Sequence, residues 1–278
     1  QRLILPDRAL VPRLPNRTRS APVARRGRLA AWAVAAVASV ALIIFVLVPV
    51  MADQLAGFIP PEGEAALGEV TLEQIRGALD ETGLRPVPSC TDTAGRAALE
   101  TMQARLTEAQ DLPVDLTVHV LDHPMVNAFA LPGGNIVFFR GLIDKAGSAE
   151  EVAAVFAHEI GHVVSRDPTR HALRSAGSIG VLGLLFGDFA GGTLVLLLAE
   201  RLIEAQYSQE AEAAADVFAH EMMIRAQIAP AALAEMFERF RAMGGDAEGF
   251  VAHFMSHPRL GDRIEAARAA VPDGFQPR

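Results

Sequence analysis

The sequence predicts a mostly helical α+β protein in which one transmembrane helix precedes a folded domain with a small β-sheet. Three observations predict this class. Residues 29–48 carry no charge, residues 114–121 alternate between apolar and polar with period two, and helical patterns continue from Gly141 towards the C-terminus. A long uncharged run indicates a membrane span, alternation indicates a half-buried strand, and a 3.6-residue period indicates amphipathic helices.

The composition of the 278 residues excludes several classes of protein. The single cysteine, Cys90, excludes an intramolecular disulfide framework and any multi-cysteine zinc or iron–sulfur site. The net charge of −8 is unevenly divided: residues 1–52 hold eight arginines and one acidic residue, whereas residues 53–278 hold 17 basic and 32 acidic residues. A nucleic-acid-binding protein carries its basic charge on the docking face, so this distribution predicts no nucleic-acid partner.

The uncharged run at 29–48 predicts a membrane anchor. At 1.5 Å per residue, a helix of this length spans about 30 Å, the hydrocarbon thickness of a bilayer. Arginines flank its N-terminal end, so the positive-inside rule predicts a single-pass protein of the bacterial inner (cell) membrane with a periplasmic or extracellular main domain. The alternative is a protein secreted after cleavage near Ala52, although the apolar run exceeds the ~7–15 residues usual in a signal peptide.

This organisation predicts four segments. They are a basic cytoplasmic leader at 1–28, the anchor at 29–50, a linker and helix at 51–89, and the main domain at 90–278. The chain begins with Gln1 rather than Met, and the apolar and proline pattern of its first residues is expected to be the remnant of an upstream domain.

The elements of the folded part follow in order along the chain. Glycine and proline predict a linker at 53–63, and helical patterns follow at about 64–82 and 94–110. Residues 127–139 predict two short strands around a turn, in which Gly133 supplies the positive φ. The later helical patterns cover about 148–165, 168–186, 190–206, 208–226, 229–243 and 260–270.

The sequence His158-Glu159-Ile160-Gly161-His162 is an HExxH motif within a helical stretch. The i, i+4 spacing places both imidazoles on one face of a helix, one turn apart, where they can bind a single ion. Glu159 is offset by one residue, so its carboxylate is expected to reach a water molecule at the metal and to act as general base. The motif therefore predicts a catalytic zinc site.

A zinc site of this kind needs a third protein ligand. A metzincin would continue with a glycine and a histidine after the motif, but Ser165 and Pro168 occupy those positions. A downstream acidic residue on another helix is the alternative. Spacing alone leaves five candidates open: Glu200, Glu204, Glu210, Glu212 and Asp216.

These motifs resemble the HtpX / CAAX prenyl endopeptidase family of HExxH gluzincin metallopeptidases, in particular its periplasmic and mitochondrial membrane quality-control proteases. The likeness lies in the HExxH motif followed after about 45 residues by Tyr207-Ser-Gln-Glu-Ala-Glu-Ala-Ala-Ala-Asp216. The resemblance implies a zincin-like fold with Glu212 as the third zinc ligand and Asp216 as a partner of a ligand histidine. His220 follows Asp216 at i+4, which suggests a similar supporting role.

Two further segments carry the resemblance. The segment Asn127-Ala-Phe-Ala-Leu-Pro-Gly-Gly-Asn-Ile-Val resembles the family's strand–turn–strand, which implies an edge strand that lines the cleft and pairs with an extended peptide. His257-Pro258 resembles a late motif whose histidine contacts substrate or transition state, or binds zinc reversibly; the alternative is a surface-loop histidine. The expected substrate-binding residues are Asn127, Phe129, Leu131, Gly133, Gly134 and Asn135.

The sequence thus predicts a membrane-anchored zinc metalloendopeptidase that cleaves unfolded or membrane-proximal proteins in protein quality control. One Zn²⁺ per chain would be held by His158, His162 and Glu212, with Glu159 and His257 as catalytic residues and 90–278 as the metallopeptidase domain. Protein or peptide substrates and the membrane are the expected partners, and no feature indicates an oligomeric state. The alternatives are a non-proteolytic zinc-binding chaperone or assembly factor of the same fold, and a metal-free membrane adaptor.

Overall fold

The computed structural model describes residues 26–80, 85–108, 110–186, 207–243 and 260–278. The chain divides into two compact units, residues 1–47 and residues 48–278. The helix predicted at 190–206 and the histidine predicted to be catalytic, His257, lie outside the described residues.

The described part of the first unit consists of helix α1 (Arg26–Leu42) and a π-helical turn (Ile43–Leu47). Its large apolar side chains are exposed; Trp32, for example, is 75% exposed. Among the described residues, one helical stretch, Gly27–Ala56, is long and apolar enough to cross a membrane. Its most apolar 18-residue segment has a mean hydropathy of 2.8 and contains no buried residue. The predicted anchor at 29–50 lies within this stretch.

The second unit is built mainly from helices. In chain order its described helices are α2 (Val48–Ala56), α3 (Pro61–Ala78), α4 (Thr93–Thr107), α5 (Arg140–Lys145), α6 (Ala149–Val164), α7 (Asp167–Phe186), α8 (Gln209–Arg225), α9 (Ala231–Met243) and α10 (Leu260–Ala269). The hydrophobic pattern of the sequence predicted the first and last residues of most of these helices to within a few positions, but it did not predict the short α5. The linker is shorter than predicted, because α2 continues to Ala56 and α3 begins at Pro61, the helical position that proline favours.

Three strands form a mixed sheet in the order β1-β3-β2. They are β1 (Thr117–Leu121), β2 (Ala128–Leu131) and β3 (Asn135–Phe139). β1 pairs with β3 in parallel and β2 pairs with β3 antiparallel, so both Val118 and Ala130 lie opposite Ile136. The predicted small sheet is therefore present, and β2 is one of its edge strands.

Side chains alternate between the two faces of the sheet, and on β2 and β3 both faces are buried against other elements. On one face Ala128, Ala130, Ile136 and Phe138 join a core formed with helices α4, α6, α8, α9 and α10. On the other face Phe129, Leu131, Val137 and Phe139 pack with apolar residues of α3 and with Ala172 of α7. The sheet thus separates α6 from α3.

Helix α3 packs directly on the turn between β2 and β3. The turn has Gly133 at φ 71° and Gly134 at φ 81°, so the predicted positive φ of Gly133 is confirmed. A Cβ atom on Gly68 would lie 2.1 Å from the carbonyl oxygen of Pro132, and one on Gly133 would lie 2.4 Å from the backbone of Ala65. Helix α3 therefore lies in the same compact unit as the predicted main domain, and the predicted boundary at residue 90 stays a prediction.

We expect Gly68→Ala to destabilise the second unit, because the added methyl has no room beside Pro132. The cost should be about 1–3 kcal/mol, the range for overpacking. Gly77, near the end of the same helix, is exposed, and a Cβ atom added there would have no neighbour within 4 Å. Gly77→Ala is therefore the control and should stabilise by up to ~1 kcal/mol. Equilibrium urea unfolding in detergent measures the free energy of unfolding of both variants. Equal changes in the two variants would contradict the close contact between Gly68 and Pro132.

Candidate metal centre

The HExxH motif lies on α6, a helix with several favourable local features. The Ser148 side chain accepts a hydrogen bond from the backbone N–H of Glu151 at 3.2 Å, and Glu150 and Glu151 lie in the first turn. These are a preferred N-cap and the favourable charge sign for a helix N-terminus. Every residue from 151 to 163 is buried, so His158, Glu159 and His162 are presented from a rigid helix inside the domain.

Helix α8 crosses α6 at the glycine of the motif. A Cβ atom on Gly161 would lie 3.0 Å from the Cα atom of Ala215, so the two backbones are close at this point. The crossing brings Glu212 and Asp216, one turn apart on α8, opposite His158 and His162. Ser208 caps α8 by accepting a hydrogen bond from the backbone N–H of Ala211 at 3.2 Å.

Three side chains converge in this crossing. The Nε2 atoms of His158 and His162 are 3.1 Å apart, and the Glu212 carboxylate lies 3.4 Å from the first and 3.5 Å from the second. Two ligands at ~2.0–2.1 Å from a tetrahedral zinc ion are about 3.3 Å apart. The three separations are close to this value, with the two Glu212 distances made by different oxygens, Oε2 to His158 and Oε1 to His162. Two imidazoles with one carboxylate are a donor set that suits zinc.

His158 is positioned by a buried chain of charges. Its Nδ1 atom lies 2.9 Å from Asp216, and Arg263 of α10 donates two hydrogen bonds, of 2.7 and 2.8 Å, to the same carboxylate. The Arg263 guanidinium also lies 3.3 Å from Glu212 and 4.4 Å from the ring centroid of Phe237. The predicted contact between Asp216 and a ligand histidine is therefore present, and Arg263 supports both carboxylates of α8.

His162 is positioned by a different residue. Its Nδ1 atom is 3.0 Å from the Asp167 carboxylate, at the first position of α7. The ring of Tyr207 lies on the other side, 4.2 Å from the His162 ring centroid at an interplanar angle of 32°. Both imidazoles therefore have a carboxylate at Nδ1 and direct Nε2 towards Glu212, the arrangement in which a second residue fixes the orientation of a ligand histidine.

The neighbouring charges change the pKa values of these groups in the metal-free protein. Burial opposes the imidazolium form of His158, but Asp216 and Glu212 outweigh it and raise the pKa to about 10. The pKa of His162 is also raised, because Asp167 and Glu212 outweigh its burial. Burial opposes ionisation of the acids as well, yet the two histidines hold the pKa of Glu212 far below its usual range, and His158 with Arg263 lowers that of Asp216 to about 2.

Glu159 lies beside the ligands without belonging to them. Only 3% of its surface is exposed. Burial raises its pKa above the usual value, although the two neighbouring histidines and a backbone hydrogen bond from Ala130 oppose the shift. A buried carboxylate with a raised pKa is suited to exchanging a proton with a reacting group.

The other residues that the sequence predicted for this site differ in where the structure places them. Glu210, a competing ligand on spacing alone, is exposed, whereas Glu200, Glu204 and His257 lie outside the described residues. His220 is 8% exposed, and burial lowers its pKa against the effect of Asp216. Its supporting role stays a prediction.

The predicted substrate-binding residues are buried in the domain. Phe129 and Leu131 pack in the core on the α3 side of the sheet, and the turn glycines lie against backbone of α3 and of Asp115. Asn135 donates to the carbonyl oxygen of Pro132 and lies 3.0 Å from His119. Asn127 is fully buried, and its amide has no partner among the described residues. These positions shape the turn, and substrate contact by their side chains stays a prediction.

The backbone of β2 offers a different contact. Phe139 donates a hydrogen bond to the carbonyl oxygen of Asn127, so alternate residues of β2 direct their N–H and C=O groups towards β3. The remaining residues, Ala128 and Ala130, are buried and direct theirs away from β3. Ala130 bonds to Glu159 there, which shows that this edge borders the metal centre.

Sequence reasoning missed three residues of the site. Asp167 belongs to no motif considered in the sequence analysis, although an acidic residue at the start of the helix after the HExxH motif could have indicated a contact with His162. Tyr207 is the only tyrosine in the chain and directly precedes the capping serine of α8. Arg263 has no predicted role, because its contact with α8 from α10 depends on tertiary packing.

Comparison with protein families matches residues 94–271 to the model described as "Peptidase family M48". The match covers more than half of the chain and contains both ligand helices.

Curated relatives agree with this match. The mitochondrial metalloendopeptidase OMA1 of Arabidopsis thaliana is 32% identical over 141 residues, 51% of this chain and 28% of that protein. The metalloprotease LoiP of Escherichia coli K12 is 32% identical over 168 residues, 56% of this chain and 62% of that protein. The beta-barrel assembly-enhancing protease of E. coli O157:H7 is 24% identical over 225 residues, 75% of this chain and 45% of that protein. The chain thus spans less than two thirds of each relative.

We expect Asp216→Asn to weaken binding of Zn²⁺ about 10- to 100-fold, because it removes the carboxylate that orients His158 and pairs with Arg263. Competition with a chromogenic chelator measures the dissociation constant. Asp262→Asn is the control, since Asp262 is exposed next to Arg263. Equal affinity in the two variants would contradict the role of Asp216.

Metal binding should release protons at pH 7. The pKa of His158 is about 10 in the metal-free protein and that of His162 is also raised, so protonated imidazole must lose its proton to bind an ion. Affinity should therefore rise with pH, by about tenfold per pH unit for each proton displaced, up to the pKa of His158. Titration calorimetry in buffers of different ionisation enthalpy counts the protons; a count of zero would contradict the shifts.

Proposed function

Because the chain belongs to peptidase family M48, we propose that it is a membrane-anchored zinc-dependent endopeptidase acting in protein quality control. The observation that carries the proposal is the convergence of His158, His162 and Glu212, whose nearest nitrogen and oxygen atoms lie within 3.5 Å of one another, with Glu159 beside them. The proposed catalytic unit includes α3 as well as residues 90–278, because α3 packs on the β2–β3 turn.

His158, His162 and Glu212 would hold one zinc ion per chain. Zinc bound there supplies Lewis-acid chemistry, which polarises a scissile carbonyl and makes water acidic enough to react near neutral pH. Asp216 and Asp167 keep the two imidazoles in the orientation that directs Nε2 into the site. Arg263 compensates the negative charge of Glu212 and Asp216, which lowers the cost of burying both carboxylates.

Glu159 is the proposed proton carrier. Its carboxylate accepts one proton of the attacking water and donates it to the amine that leaves, so the peptide bond is replaced by a carboxylic acid and an amine with no net change in the enzyme. Burial favours this exchange because the raised pKa brings the carboxyl closer to neutral pH. Tyr207, stacked on His162, covers that imidazole on the side of α8.

The edge of β2 is the proposed binding site for an extended substrate. Both backbone groups of Ala128 and the C=O group of Ala130 face away from β3, so they are the groups proposed to pair with a peptide strand, while the Ala130 N–H bonds to Glu159. Recognition through backbone groups needs an unfolded segment and little side-chain specificity, which fits proteins in need of removal. His257 is proposed to contact the substrate, and His220 to support Asp216.

The helix at 27–56 is the proposed single-pass anchor in a bacterial inner membrane. The arginines before it favour a cytoplasmic N-terminus, which places the catalytic unit in the periplasm or outside the cell. Substrates would accordingly be membrane-proximal proteins.

Replacing Glu159 by Gln should lower the cleavage rate of an unfolded substrate such as casein about 10²- to 10⁴-fold, the range for loss of a general acid–base group. Zinc content should stay near one per chain, because the ligands are intact. Glu150→Gln is the matched control, since Glu150 is an exposed glutamate of the same helix. Full activity of the Glu159 variant would contradict the mechanism, and zinc binding without cleavage by the wild type would favour the chaperone alternative.

A further inference from the structure

We propose that Glu64 of α3 is a positioning residue for the metal centre and acts on His162 through the turn between α6 and α7. The inference rests on the proposed metal site and assigns a role to a helix that lies before the family match, in the segment predicted from the sequence to be a linker and helix.

The turn after α6 has an unusual conformation. Arg166 has φ 57°, in the left-handed region where glycine is the usual residue at the end of a helix. An arginine there is strained by its Cβ atom, so other contacts must stabilise it. The next residue, Asp167, carries the carboxylate that lies 3.0 Å from His162 Nδ1. The position of this carboxylate therefore depends on the turn.

Glu64 contacts the residues on both sides of Asp167. Its Oε1 atom accepts a hydrogen bond of 3.0 Å from the Arg166 guanidinium and another from the Thr169 hydroxyl. Arg166 also donates to the carbonyl oxygen of Ile59 at 2.9 Å. One carboxylate thus holds the turn before and after the residue that orients the ligand.

Glu64 and Thr169 are both buried, with exposures of 4% and 1%. A buried carboxylate is costly unless it is paired, and the loss of one partner is more costly than the pair is stabilising. The same helix is fixed one turn further along, at Gly68, by its close contact with the β2–β3 turn. Helix α3 therefore connects the sheet to the turn that carries Asp167.

Glu151 is a buried glutamate that lacks this connection. Glu151 is as deeply buried and accepts two hydrogen bonds from Arg239, at 2.9 and 3.0 Å, but lies at the opposite end of α6 from His162. It provides a matched control, because its loss should affect folding stability to a similar degree without moving the turn.

The test compares Zn²⁺ affinity in the full chain in detergent for the wild type, Glu64→Gln, Thr169→Val and Glu151→Gln. A chromogenic chelator gives the dissociation constant, and thermal unfolding of the metal-free protein gives the stability. We expect Glu64→Gln to raise the dissociation constant about three- to tenfold, less than the 10- to 100-fold typical of a residue in contact with the ligand. Thr169→Val should raise it in the same direction, and Glu151→Gln should leave it unchanged.

The possible results distinguish a failure of the role proposed for Glu64 from a failure of the proposed metal site. Wild-type affinity in Glu64→Gln and Thr169→Val would overturn the inference while the metal site stands. An equal loss of affinity in Glu151→Gln would also overturn it, since the effect would then follow from stability alone. A wild-type chain that binds no zinc would overturn the proposed metal site itself. If Glu64→Gln does not fold, the Zn²⁺ dissociation constants of Thr169→Val and Glu151→Gln are compared instead. A higher constant in Thr169→Val alone supports the inference, and equal constants overturn it.

Discussion

The backbone contact between Gly161 and Ala215 is the constraint on which the metal centre depends. A Cβ atom at Gly161 would lie 3.0 Å from the Cα atom of Ala215, so even this one atom would require a shift of a few tenths of an ångström between α6 and α8. With the helices this close, Glu212 lies within 3.5 Å of both ligand imidazoles. The glycine of the motif therefore has a packing role, while its neighbours at either end of the motif have a chemical one.

Burial then determines what else the site requires. Five ionisable side chains of α6 and α8 are buried in the same interior, and each is costly there without a partner: His158, Glu159, His162, Glu212 and Asp216. Asp216 and Asp167 each approach one imidazole, and Arg263 bonds to Asp216 and lies close to Glu212. These contacts fix the orientation of the ligands before any ion binds. A preorganised ligand set loses little conformational freedom on binding, which favours both affinity and a defined geometry.

Local sequence signals predicted the parts of the site that lie on one element. The i, i+4 spacing of His158 and His162 and the period-two pattern of β1 are properties of single segments, and both are present in the structure. The choice of Glu212 over Glu210 needed the family resemblance, because the residues alone do not show which face of α8 meets α6. Asp167, Arg263 and Glu64 act across contacts between separate elements, which no pattern within one segment reveals. The contact of Gly68 with the β2–β3 turn is likewise tertiary, so no pattern within one segment reveals it.

The central claim is that three side chains from two crossing helices form one preorganised metal site. Crystals of the zinc-loaded chain, measured on both sides of the zinc absorption edge, test it most directly. The account predicts a single strong anomalous peak about 2.0–2.2 Å from His158 Nε2, His162 Nε2 and a carboxylate oxygen of Glu212. A peak bound by other residues, or no peak between α6 and α8, would contradict it.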